Sequence, residues 1–79
     1  MNPEQRKTMI QGMVERLAEK LQHDGSDAEG WFRLVRSYMV LGERDKARAA
    51  VLDARRALAG DPTNLRRLDE LAKGLGLEG

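Results

Sequence analysis

Seventy-nine residues make one small domain, and a domain of that size buries only about 60% of the surface its unfolded chain exposes, so its stability is marginal. The chain has no cysteine, which excludes a disulfide staple, thiol chemistry and a thiolate metal site but leaves the redox compartment open. Charged residues make up 34% of it, yet 14 Lys and Arg against 13 Asp and Glu leave a net charge of only +1, which argues against a broad phosphate-neutralising face for nucleic acid and against a polybasic membrane anchor.

No apolar run approaches the roughly 20 residues needed to cross a bilayer. The N-terminus has no signal-peptide core, and the segment reads as soluble. Asn2 is a candidate N-cap, Pro3 suits the first helical position, and Gln5 stands three residues after the cap, where a capping box needs it. Met9, Ile10, Met13, Val14, Leu17, Ala18 and Leu21 then form a wide apolar stripe at helical spacing. Together these predict a helix over about 3–22. Gly12 within it costs roughly 1 kcal/mol relative to Ala, which predicts a close helix contact at that point. Residues 23–27 read as a loop, with Ser26 or Asp27 capping the next helix. His23 belongs to that solvated loop, with no second ligand or haem-attachment cysteine pair to give it a haem role.

A second helix, about 27–41, places Trp31, Leu34, Val35 and Tyr38 on one face and stops at Leu41-Gly42. A third, about 44–59, shows a face of smaller residues, Ala47, Val51, Ala54 and Leu58, and stops at Gly60-Asp61-Pro62. A fourth, about 63–74, carries Leu65, Leu68, Leu71, Ala72 and Leu75. Gly74 is expected to end it, with Leu75 folding back as the hydrophobic partner, and 77–79 to form a frayed tail. The Met9/Met13 pair reads chiefly as packing, with a partner surface as the alternative. Arg55-Arg56 and Arg66-Arg67 read as solvated faces.

The expected fold is all-α: a helical hairpin over about 27–60, flanked by an N-terminal helix and a C-terminal capping helix. Large aromatic side chains on one arm and alanines on the other let the two backbones approach closely. The hairpin resembles the tetratricopeptide (TPR) repeat, with Trp31, Leu34, Val35 and Tyr38 on the first helix, Gly42 in the turn, Ala47, Val51 and Ala54 on the second, and Pro62 closing the unit. Val35 and Val51 replace a small residue and an aromatic. Pro62 comes three residues late, which predicts a second helix one turn longer. The chain then reads as half a repeat, a whole repeat and half a repeat.

A TPR groove is lined by the first helix of each repeat, on the face left free by packing. Counted from Trp31, that face holds Glu29, Phe32, Arg33, Arg36, Met39 and Val40. The fourth helix adds Arg66, Asp69, Glu70 and Lys73. Phe32 follows Trp31 directly, and a 100° step turns it toward the groove or its rim. Phe32, Met39 and Val40 offer an apolar seat for an amphipathic helix, and Arg33 and Arg36 stand ready for its carboxylates.

A narrower resemblance lies in residues 1–18, which include Met9-Ile10, Gly12-Met13-Val14-Glu15 and Leu17-Ala18. It continues in Asp24, Asp27 and Glu29-Gly30-Trp31, then Leu34, Arg36-Ser37-Tyr38 and Val40-Leu41-Gly42. These runs resemble the periplasmic TPR part of the CcmI (CycH) family of c-type cytochrome biogenesis proteins, with Gly25 where a Pro is common. The resemblance implies a chaperone that holds the C-terminal helix of apocytochrome c and passes it to the haem-ligation machinery. It also implies a periplasmic location and a membrane-anchored N-terminal part outside this segment. Many family members carry more repeats.

No Ser-His-Asp or Cys-His set, Gly-rich phosphate loop or carboxylate cluster with metal spacing occurs in the chain. The expectation is a binding module without catalytic activity or cofactor. Other readings are a TPR adaptor for a different protein, or a homo-oligomer through the first helix.

Overall fold

Three of the four helices in the computed structural model, which describes residues 2–77, begin on a side-chain cap, and the third begins without one. The elements are α1 (Pro3–His23), α2 (Ala28–Val40), α3 (Arg44–Ala57) and α4 (Pro62–Gly74), with no strand among the described residues. The Asn2 side chain accepts from the Gln5 amide at 2.8 Å, and the Gln5 side chain accepts from the Asn2 amide at 3.2 Å. This reciprocal box satisfies two donors that the first turn otherwise leaves unpaired. Asp27, not Ser26, caps α2 by accepting from the Gly30 amide at 3.0 Å. Asp61 caps α4 and accepts from the Asn64 amide at 3.2 Å, with Pro62 at the first position.

α2 and α4 end in the same motif. After α2, the Gly42 amide donates to the Met39 carbonyl and the Glu43 amide to the Tyr38 carbonyl, with Gly42 at φ 73°. After α4, the Gly76 amide donates to the Lys73 carbonyl and the Leu77 amide to the Ala72 carbonyl, with Gly76 at φ 71°. These are Schellman caps, which place a glycine in the left-handed region; the residue that follows is Glu43 after α2 and Leu77 after α4. The cap of α4 is therefore Gly76 rather than Gly74, and its returning residue is Leu77, which is buried. The expected frayed tail is docked at Leu77, and its last two residues lie outside the described region. The third helix is not a turn longer either. α3 ends at Ala57, and the residues before Pro62 form a turn closed by the Asp61 amide on the Leu58 carbonyl at 2.8 Å.

α2 is the central element: it packs most extensively on α3, and also on α1 and α4. Trp31, Leu34 and Val35 meet Ala47, Ala50, Val51 and Ala54, and all seven are buried. Alanines on α3 leave room for the indole without separating the backbones. The indole Nε1–H donates to the Gly25 carbonyl at 2.9 Å, so burial of Trp31 leaves no unpaired donor. Gly25 and Gly30 are close-approach positions. A Cβ at Gly25 would meet Ala57 Cβ at 2.8 Å, and one at Gly30 would meet the capping carboxylate of Asp27 at 2.7 Å and Leu21 at 3.0 Å. Gly12 is different: a Cβ there would meet nothing within 4 Å, so the expected close helix contact is absent among the described residues. The array is a slab of 41 × 28 × 16 Å, with α1 and α4 on either side of α2 and α3 behind.

Candidate functional site

Helical geometry divides α2 into a buried side around Trp31, Leu34 and Val35 and a solvent strip made of Glu29, Arg33, Arg36 and Val40. Val40 is 79% exposed, an unusual position for a β-branched apolar side chain next to a helix end. Met39 is half-buried on the edge of the strip.

Phe32 does not line the surface. It is only 4% exposed and belongs to the core. The 100° step does turn its ring away from Trp31, but α4 covers the direction in which it turns. Arg67 reaches across from α4, with its guanidinium 4.9 Å from the centre of the Phe32 ring and 2.7 Å from the Glu29 carboxylate. Asn64 supports it by accepting from Arg67 at 3.0 Å. Arg67 thus ties α4 to α2 at the surface, a role that counting from the apolar stripe does not reveal. Glu29 is engaged by this strut rather than free in a groove.

The four α4 residues expected beside the α2 strip are not brought to it. Leu68 and Ala72 define the buried side of α4, and Arg66, Glu70 and Lys73 point away from them, on the outer surface. Asp69 turns toward α3 and accepts from Arg55 at 3.0 and 3.2 Å. α4 therefore closes the core against α2 and α3 instead of widening a face of α2.

A different neighbour completes the surface. On the other flank of α2, the seam with α1 holds two shallow depressions. One, of about 180 Å³, is lined by Ile10, Met13, Val14, Leu17, Arg33 and Ser37. The other, of about 310 Å³, is lined by Pro3, Arg6, Lys7, Ile10, Val40 and Leu41. They share Ile10 and so run on as one trough. Met13, 58% exposed, stands on its α1 side and Met9, 48% exposed, lies nearby on the same helix. The two methionines are an exposed surface rather than core packing. A third depression, around residues 21–26, has Trp31 in its wall, and its Asp53 and Arg56 are paired to each other at 3.2 Å. His23 sits there, exposed at the end of α1.

A hydrogen bond from the Ser26 hydroxyl at 2.7 Å, helped by the Ser26 amide, holds the Asp24 carboxyl below its usual value. Burial pushes the Tyr38 hydroxyl up. Among the described residues, no group of three or more His, Asp or Glu side chains is placed to hold a metal ion.

Every residue of the chain aligns with a protein named cytochrome c-type biogenesis protein CycH from Bradyrhizobium diazoefficiens, at 53% identity. A CycH protein from Rhizobium meliloti aligns over 99% of the chain at 45% identity. The chain is related to a segment of the CycH proteins. It spans about a fifth of these relatives, 21% of one and 20% of the other. No family model matches it, and no solved structure matches it. No described helix of this CycH-related segment is long and apolar enough to cross a membrane. The Glu29-Gly30-Trp31 run, part of the CycH-like pattern, proves largely architectural here: Gly30 admits the Asp27 cap, Trp31 fills the α2–α3 interface and Glu29 anchors α4.

Proposed function

We propose that this CycH-related segment is a TPR-type protein-binding module. It holds the C-terminal helix of apocytochrome c during c-type cytochrome maturation, before the client passes to the haem-ligation machinery. The observation that carries this reading is the alignment of all 79 residues with a protein named for cytochrome c-type biogenesis. The exposed apolar groups beside the α1–α2 seam, Val40 and Met13, support a peptide-binding role, because amphipathic helices dock by laying an apolar stripe along such a surface. On this reading the segment works in the periplasm, and a membrane anchor belongs to another part of the longer protein. It binds and presents its client and performs no chemistry itself.

The test is a fluorescence-anisotropy titration of the 79-residue chain against a labelled peptide of an apocytochrome c C-terminal helix, with a scrambled peptide of the same composition as control. Saturable binding of the native-order peptide alone is the expected result. Equal affinity for both peptides, or none for either while circular dichroism shows the helices intact, contradicts the proposal.

A further inference from the structure

The charges of this chain nearly cancel in number, but they are not paired alike throughout. Every basic side chain of α3 has a partner. Arg44 donates to the Gly76 carbonyl at 2.7 Å, Lys46 lies 3.6 Å from Glu43 and Arg48 3.8 Å from Asp45, and Arg55 and Arg56 are held by Asp69 and Asp53. The α1–α2 trough is bordered by cations of another kind. Arg6, Lys7 and Arg33, which line it, have no carboxylate partner among the described residues, and away from it neither do Arg36, Arg66 and Lys73. Arg16 reaches only the backbone carbonyl of Gly12, at 3.4 Å.

The carboxylates of α1 lie elsewhere. With 100° per residue, Glu4, Glu15 and Glu19 fall on the side of α1 roughly opposite Met13. Glu29, the acidic residue of the α2 strip, is engaged by Arg67. The trough is thus an apolar floor with a cationic border. Its α1 wall from Pro3 to Leu17 is about 21 Å long at 1.5 Å per residue, enough for about four turns of a docked helix.

We infer that the α1–α2 trough docks an amphipathic helix whose apolar stripe lies on Ile10, Met13, Leu17 and Val40 and whose flanks carry Asp or Glu facing Arg6, Lys7 and Arg33. The inference rests on the peptide-binding reading above, and it assigns that binding to α1 and α2 rather than to α4. Charge complementarity selects the occupant. A second copy docked through the same face by a two-fold axis would set these cations against their own equivalents. An acidic helix neutralises them and draws the partner in through long-range attraction.

Two designed helices of about 18 residues, with the same leucine stripe but glutamate or lysine flanks, test it. Each is titrated against the 79-residue chain at low and high salt. The glutamate helix is expected to bind about tenfold tighter at low salt, and the gap to narrow as salt rises. The double variant R6E/R33E, at two exposed positions, removes the preference. R66E/K73E, on the outer side of α4, leaves it unchanged. Equal affinity for the two helices, or a preference lost only with R66E/K73E, overturns the inference. Binding to phosphatidylglycerol vesicles with no binding to either helix overturns it as well and assigns the face to a lipid surface. If the apocytochrome peptide binds the chain while the designed helices show no charge preference, peptide binding stands and the acidic-partner assignment falls. If no peptide binds at all, both fail.

Discussion

Truncating Phe32 to Ala separates two pictures of α2. In one, suggested by the helical step from Trp31, the ring is a binding surface and its loss costs affinity but little stability. In the folded protein the ring is 4% exposed, and its loss opens a cavity. Removing a buried Phe typically costs about 3–5 kcal/mol, part from lost transfer free energy and part from the unfilled space. The variant also loses the Arg67 contact at 4.9 Å, which contributes about 0.5–1 kcal/mol at a site open to water. A chain of this length has about 4–12 kcal/mol of total stability, so Phe32→Ala removes a quarter to nearly all of it. Urea unfolding followed by far-UV circular dichroism reads this directly, and the melting temperature should fall by about 12 °C or more. Two companion variants isolate the cause. Phe32→Leu, which keeps most of the apolar volume, should cost about 1–2 kcal/mol. Arg67→Ala, which breaks the strut to Glu29 but leaves the ring, should cost about 0.5–1.5 kcal/mol, because both partners are at least half exposed. An unfolding midpoint unchanged in Phe32→Ala, together with weakened peptide binding, would refute the packing argument and return the ring to the surface.

Gly12→Ala should stabilise the chain by about 0.5–1 kcal/mol, because an added methyl meets no neighbour within 4 Å and a mid-helix glycine gives up more backbone freedom than alanine. A melting temperature higher by about 2–8 °C confirms this, and an unchanged or lower one shows a contact at that position. Tyr38 is the only tyrosine, so its titration can be followed alone by tyrosinate absorbance, with a midpoint expected above 10.0. Burial raises it, the positive charge of Lys46 opposes the rise, and Glu43, Glu15 and Asp53 add to it. Since the folded value is the higher one, this contribution to stability is complete below the ordinary value and is lost as the pH climbs through the raised one. Tyr38→Phe should therefore lessen the alkaline loss of stability measured by urea unfolding across pH 10.0, and an identical alkaline limb in both proteins would contradict the sign.

Much of the fold is legible along the chain because its signals act within one or two turns. The capping box of Asn2 and Gln5, the Asp61-Pro62 start, the apolar stripes and the Leu41-Gly42 stop each need only neighbours a few residues away. The same local reasoning placed the end of α4 at Gly74, where it lies, but took Gly74 for the cap glycine as well, a role that falls to Gly76 with Leu77 buried. The candidate site was less legible. Arg33, Arg36 and Val40 lie on the open strip of α2 that the helical count predicts. Only the tertiary structure decided which flank of that strip is open and which is closed. Arg67 meets Glu29 across 38 positions of sequence, Asp69 is drawn to Arg55 across 14, and Phe32 is buried because α4 docks against its side of α2. A helix's own sequence determines which residues share a face, since that follows from 3.6 residues per turn. What covers the face depends on the angle at which the next helix packs, and that is settled by all the contacting side chains together.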